Sequence, residues 1–593
     1  MLTGRVYSIK TPGNVGSDSN DGLSWNTAFA TFDHAIKTAA AGDTICVAAG
    51  TYTENIQSSK KQLTFKGGYP ANGGDTQNFT SNVTILDGGH SGVVLMTHGD
   101  NTVIQGFTVT HGSRGIVISG QGVQVSDCII TSNDRTSSYD GMGVHNYGKA
   151  SFTNCAVTDN GGHGLYNNID GQVTISGCTF KDNAGVGARL EGYTSATITN
   201  SILDGNSLGG LVGDTSAECN ATDCTFRNNS NSGGVSMEWQ GVFTNCLFEN
   251  NYAATYSNGV VGSGGGISGS GTLENCTFTG NHASGSGGGI HLHGTVTGCN
   301  ITSNTAANGG GVYGDYSEWG IVSTVENSTI ANNTASEDGG GVSRSEIVNC
   351  TVTGNRAARC GGMYGYISAT NCTIINNTAD LASEHYMDDH SAPYTVGFTN
   401  TIIYNSSVPY IYNENTSPST SLRLTNCATA ERSIYGAGNT EQVSTVNIAD
   451  WSASHPAEAV SADNVAHTVF RLKAGDTALI HGGTSEGAPE TDQLGNSRDT
   501  AHPSIGAVEY SSGSGNSNTI PETPSNEDNS GTSPETPSND GNGGTSPETP
   551  SNEDNGSTTP DTPTESTGGS GGGGCNAFCG LITFAILFTL KRK

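Results

Sequence analysis

The sequence predicts an all-β protein, a right-handed parallel β-helix built as a solenoid of coils roughly 22 residues long. A disordered linker and a short C-terminal hydrophobic segment follow it. Three observations carry this reading. A Cys-to-Asn mark recurs at a nearly fixed step. Within each repeat, apolar and polar residues alternate with a period of two. The composition, 86 Gly in 593 residues with 33% hydrophobic and 13% charged, suits one thin column with Gly- and Asn-rich turns better than several ordinary domains.

The mark is a Cys, a short β run, and an Asn five residues on. It pairs Cys128 with Asn133, Cys155 with Asn160, Cys178 with Asn183, Cys224 with Asn229 and Cys246 with Asn251. It continues at Cys276 and Asn281, Cys299 and Asn304, Cys350 and Asn355, and Cys372 and Asn377. Ser201 and Ser328 take the Cys place at two further steps. Cys155, Cys178, Ser201 and Cys224 are 23 residues apart, whereas Ser328, Cys350 and Cys372 are 22 apart. Longer gaps, such as 246 to 276, read as the same step plus a loop. Upstream the period runs through Phe107 and Leu86, each 21 residues from the next mark.

A step of this size holds three short strands and three turns. In Cys276-Thr277-Phe278-Thr279 the Cys and Phe point one way and the Thr residues the other. A leucine-rich repeat needs a periodic Leu pattern that is missing. At the usual strand spacing of about 4.8 Å, about fifteen coils make a rod on the order of 70 Å long. Cys then stacks on Cys as an internal structural ladder. We expect mostly free thiols there, since in-register Cβ atoms run parallel and suit an S–S bond poorly. The Asn at Cys+5 is expected in the turn, tolerating the left-handed conformation and bonding its neighbour's amide.

In order along the chain, residues 1–60 read as a capping coil whose short helix, 32–40, covers the open strand edges. Residues 61–430 are the β-helix proper. Residues 431–510 lose the step and read as final coils plus a C-terminal cap. Residues 511–574 form an extended linker, in which Pro521-Glu522-Thr523-Pro524-Ser525-Asn526 recurs from Pro534 and Pro547. Residues 575–593 hold an apolar run, 577–590, that is short for a spanning helix, and a basic end that fits the positive-inside rule. No apolar leader follows Met1, so the natural start is expected upstream.

The net charge of −31 excludes nucleic acid as a partner, because that needs clustered Lys and Arg. No cofactor is implied. The acidic surface can attract Ca²⁺, although simple solvation explains it as well.

Phe180-Lys181-Asp182-Asn183, Phe226-Arg227-Asn228-Asn229, Phe248-Glu249-Asn250-Asn251 and Phe278-Thr279-Gly280-Asn281 share the pattern F-x-x-N. Gly265-Gly266-Ile267, Gly288-Gly289-Ile290, Gly310-Gly311-Val312 and Gly340-Gly341-Val342 share G-G-hydrophobic. Together they resemble the repeats of polymorphic outer membrane proteins over roughly residues 175–380. That resemblance implies a β-helical passenger and a surface adhesin. The usual GGA is GGG here and no autotransporter barrel follows, so the family's export route does not carry over. Residues 571–574, all Gly, then Cys575, the apolar run and the basic end resemble Synerg-CTERM sorting signals. This implies processing and lipid attachment near Gly574 and Cys575 by export and sorting machinery, with the membrane reached only through that tail. The plainer alternative is a tail anchor.

The site residues are weaker. Gly162-His163-Gly164 matches the G-H-G of polygalacturonases, and Asp134 and Asp140 precede it, which makes Asp134, Asp140 and His163 candidates for acid–base work. The family's paired Asp-Asp and Arg-Ile-Lys motifs are missing, and small or polar turn residues explain the match. Asp388, Asp389 and His390, after Glu384 and His385, are candidate metal ligands in a loop. Trp239, Trp319, Tyr313, Tyr316, Tyr364 and Tyr366 suggest a carbohydrate platform on the rod's flank. We therefore expect an exported protein of the bacterial cell surface or outer membrane, or one released from it. Its expected role is a non-catalytic adhesin binding a surface glycan or a receptor on a host or neighbouring cell. The alternative is a polysaccharide lyase or glycoside hydrolase of the pectate lyase-like type. Three or more Asp, Glu, Arg or His converging on one groove would favour the enzyme; a bare Thr/Asn/Ser flank would favour adhesion.

Overall fold

The computed structural model describes residues 4–511, apart from 135–141, 256–258, 315–322, 366, 388–394, 406–410, 414–420, 430–433, 436–439, 444, 449–453 and 463–464. A typical coil has a first strand Met142–Asn146, a second Lys149–Thr153 and a third Ala156–Thr158. Each pairs in parallel with its counterpart one coil on, so strands form files along the axis. The first and second files merge into one 31-stranded sheet because strands such as Val235–Thr244 and Ile290–Thr297 run through both. The third file stacks seventeen strands. A short fourth file of six strands runs from Tyr252–Ala253 to Thr378–Ala379.

The period of two does what the sequence implies. Phe226, Phe248 and Phe278 lie in register and fully buried, their rings stacked at 5.0 and 4.4 Å between centroids. Beside them runs the Cys ladder: Cys128, Cys155, Cys178, Cys224, Cys246, Cys276, Cys299, Cys350 and Cys372 are all buried free thiols, and Cys427 extends the column. Backbone N–H groups point at the next sulfur, as in Cys155 N to Cys178 Sγ at 3.4 Å. Ser201 and Ser328 donate and accept in the same places. Upstream, Phe107 fills the Cys position. Leu86 does not: it lies in register with Val109, two residues further along the coil, because the turn there is longer.

The Asn residues at Cys+5 stack inside, but they are not the left-handed residues. That conformation falls on the residue before each Asn, such as Asp159, Asp182, Asn228 and Asn250, and on the residue before each Cys, such as Asn154, Asp223 and Asn245. These short polar residues bear the positive φ at low cost and turn the chain into and out of the third strand. The buried Asn side chains then link head to tail. Asn160 Nδ2 donates to Asn183 Oδ1 at 2.9 Å, and the pattern repeats to Asn377. Each Oδ1 also accepts the backbone N–H of the preceding Asn. At the last rung the buried carboxylate of Glu384 replaces the next amide oxygen. It accepts from Asn377 N, Asn377 Nδ2 and Asn405 Nδ2, and burial pushes its pKa up to about 7.

At the start of the rod, helix Phe32–Thr38 is capped by the Thr31 side chain, which accepts from His34 N. Its buried Phe32 packs against Tyr52, Phe65 and Phe107. Lys61 Nζ donates to the helix-end carbonyls of Ile36 and Ala39. At the other end, coil strands persist to Val446–Asn447, and residues 465–510 then fold back along the outside of the third file. Arg498 fixes this strap. Its buried guanidinium donates to Asn349 Oδ1, Gly506 O and Ala507 O and pairs with Glu509 at 3.1 Å.

Candidate functional site

Outward residues of the second file make a plain polar flank. One row reads Gln124, Ser151, Thr174, Thr197 and Asn220; the next reads Ser126, Thr153, Ser176, Thr199 and Thr222. Over the coils from 101 to 197 this flank sinks into a groove of about 510 Å³. Gln124, Lys149, Ser151, Gln172, Thr174, Ser195 and Thr197 line it, with Asn101 at one end, and among the described residues no carboxylate does. Lys149 is its one charge, exposed and with no acidic partner among the described residues.

The corner between first and second strands borders that groove. Its turn is 147–148 in one coil, 168–171 and 191–194 in the next two, and is absorbed into Val235–Thr244 further on. Corner residues have no core to join, so apolar side chains there stand in solvent. Tyr147 is 44% exposed, Ile169 55%, Tyr193 77% and Trp239 56%. Three of these residues fall at one corner of three successive coils, and Trp239 stands at the same corner two coils further on, past the polar turn 214–217.

On the far side of the corner, the outward row of the first file reads Val117, His145, Tyr166, Arg189 and Val212. Charged groups gather here but satisfy one another. Tyr166 OH donates to Glu191, and Arg189 Nη2 donates to both oxygens of Asp214 at 2.9 Å. His145 is sandwiched by Tyr147, stacked at 4.1 Å, and Tyr166, edge-on at 5.0 Å. Burial, with the Arg114 charge adding, pushes its pKa down to about 4, so it is neutral at physiological pH. Burial and the Glu191 carboxylate push the Tyr166 phenol up, which keeps it protonated.

Asp134 and His163, two of the candidates read from sequence, do not meet. Asp134 accepts from His90, Nδ1 to Oδ2 2.5 Å, and not from His163. His163 Nδ1 accepts the Val186 amide at 2.9 Å, and its ring stacks on Tyr166 at 5.7 Å. Asp140, Asp388, Asp389, His390, Gly574 and Cys575 lie outside the described residues, as do Tyr316, Trp319 and Tyr366. Of the aromatic platform, Trp239 is exposed. Tyr364 instead lies buried in a stack with Tyr386 and Tyr412, with Arg359 over its ring, and Tyr313 lies under Arg344. Among the described residues, no three His, Cys, Asp or Glu are arranged to hold a metal ion. Sequence reasoning missed Tyr147 and Tyr193. Their signal was there: Tyr147, Tyr193 and Trp239 recur every 46 residues, two coils apart.

A family model described as a right handed beta helix region matches residues 91–241, the stretch that carries both the groove and the exposed corner residues. The fold is a right-handed parallel β-helix. No curated protein matches the chain. Solved structures similar to the chain include a pectate lyase, at 15% identity over 86% of this chain and 98% of that one, TM-score 0.21. A family 6 alginate lyase aligns at 12% identity over 74% and 80%, TM-score 0.36. Tailspike protein 3 of bacteriophage CBA120 aligns at 9% identity over 77% and 65%, TM-score 0.28. No activity follows from these likenesses.

Proposed function

We propose that this chain is a glycan-binding adhesin of a bacterial cell surface and has no catalytic activity. One observation carries the reading: exposed Tyr147, Ile169 and Tyr193, with Trp239 two coils on, stand at the corner that borders a groove of Ser, Thr, Gln, Asn and Lys149 with no carboxylate among the described residues. Saccharides present apolar C–H faces and hydroxyl edges together. Flat rings take the first, and short hydroxyl and amide side chains take the second. The repeat resemblance to polymorphic outer membrane proteins supports adhesion. The Gly run, Cys575 and the basic end support export and retention at the surface, with Gly574 and Cys575 as the processing and lipid-attachment point.

The lyase or hydrolase reading draws on Arg114, His145, Tyr166, Arg189, Glu191 and Asp214 along the first file. Against it, Tyr166 and Arg189 are taken by Glu191 and Asp214, and His145 lies under two rings. A general acid or base must reach its substrate proton. A glycan array with the whole protein tests the proposal, run beside an assay for unsaturated or reducing sugar ends. Binding that falls at least tenfold in Tyr193→Ala and Trp239→Ala, without end release, supports adhesion. End release abolished by His145→Ala would replace it with the enzyme.

A further inference from the structure

Two histidine–carboxylate pairs cross one another on the turn that follows the third strand. His90 Nδ1 reaches Asp134 Oδ2 at 2.5 Å, and His111 Nδ1 reaches Asp87 Oδ2 at 3.2 Å. Asp87 and His90 share one coil, His111 belongs to the next and Asp134 to the one after. The two imidazoles lie against each other, centroids 4.7 Å apart with 34° between their planes. His90 is exposed and His111 half-buried, and neither Nε2 has a hydrogen-bond partner among the described residues.

We propose that His90 and His111 form a surface site for a divalent transition-metal ion, Zn²⁺, Ni²⁺ or Cu²⁺. The ion would take both Nε2 atoms, with water completing its shell. A carboxylate at Nδ1 fixes the proton on that nitrogen, leaves the Nε2 lone pair free and raises its basicity. This is how protein metal sites orient their histidines. Here both histidines have such a carboxylate, each from a different coil. Two metal–nitrogen bonds of about 2.0–2.1 Å hold their nitrogens within about 4.2 Å of each other, a span of the order of the 4.7 Å between the two ring centroids. Imidazole nitrogen selects these metals over Ca²⁺ and Mg²⁺, which want oxygen. The ion would bind together three coils, on the turn after the third strand, that overlap the near end of the groove. The site is separate from the glycan reading and stands without it.

Calorimetric titration of the whole protein with Zn²⁺ tests the site, with the double variant His90→Ala/His111→Ala as reference for any other metal uptake, including the tail cysteines. The expected result is one Zn²⁺ more per wild-type chain than per double variant, unaffected by millimolar Ca²⁺. Asp134→Asn and Asp87→Asn, which keep both ligands, should each weaken that extra event 10–100-fold. Equal zinc uptake by wild type and double variant would overturn the proposal. So would full-affinity binding in both Asp variants, since the carboxylates would then orient nothing.

Discussion

Removing one rung from the middle of the Asn ladder should cost more than one net hydrogen bond, and Asn229→Ala is the cleanest place to see it. Asn229 Oδ1 accepts from Asn206 N and Asn206 Nδ2, both at 3.0 Å, and its Nδ2 donates to Leu203 O at 2.9 Å and Asn251 Oδ1 at 3.0 Å. Three of the four partners keep a second contact: Asn206 Nδ2 still donates to Phe180 O, and Asn251 Oδ1 still accepts from Asn229 N. Leu203 O keeps its ladder bond from Arg227 N as well, so Asn206 N alone is left unmet inside the rod. A buried polar group left unmet costs about 1–3 kcal/mol, so the substitution should cost about 2 kcal/mol. Asn220→Ala, on the exposed second-file flank, should stay within about 0.5 kcal/mol. Urea unfolding followed by circular dichroism measures both. Hydrogen exchange should show the Asn206 amide and its neighbouring coils losing protection first, because each coil leans only on the next. A loss under about 1 kcal/mol with Asn206 still protected would refute the claim that the ladder holds the coils together.

Three further outcomes can be measured. Glu384 has a folded pKa near 7, above the ordinary 4.5, so the folded state holds its proton more tightly. Its stabilising share is complete below pH 4.5 and is lost as pH rises to 7, about 3 kcal/mol relative to Glu384→Gln in pH-dependent melting. The opposite slope would mean that its three N–H donors outweigh burial. Burial holds the thiols of Cys219, Cys350 and Cys427 above their usual range, Cys427 at about 12. A thiol reagent at neutral pH should therefore leave the thirteen buried cysteines of residues 4–511 unmodified until urea is added. Arg498→Met strands the Glu509 charge under the strap and should cost about 3–5 kcal/mol in urea unfolding; a loss under about 1 kcal/mol would contradict the buried pair.

Much of the fold was legible because a solenoid writes its period into the chain. Cys155, Cys178 and Cys224 form one internal column as their spacing implies, and Phe248 stacks as F-x-x-N suggests. The left-handed position was read one residue late. Sequence alone marks the Asn as special without saying whether it turns the chain or sits inside it. Residues 465–510 carry no period, so nothing announced that they return along the flank. The site was less legible for a related reason. Corner turns differ in length, two residues in one coil and four in the next two, which hides the shared position of Tyr147, Ile169 and Tyr193 until strand limits are known. His90 and Asp134 meet across two coils and 44 residues, a pairing that only the register reveals.

The amide chain inside the rod counts coils and ignores their contour length. It closes as well across 30 residues, Asn251 to Asn281 at 2.9 Å, as across 22, Asn229 to Asn251 at 3.0 Å. Extra sequence is shed outward at the turns while the interior repeats unchanged. Such a scaffold can lengthen, shorten or rewrite what it shows to its surroundings, and it would do so without renegotiating the packing beneath.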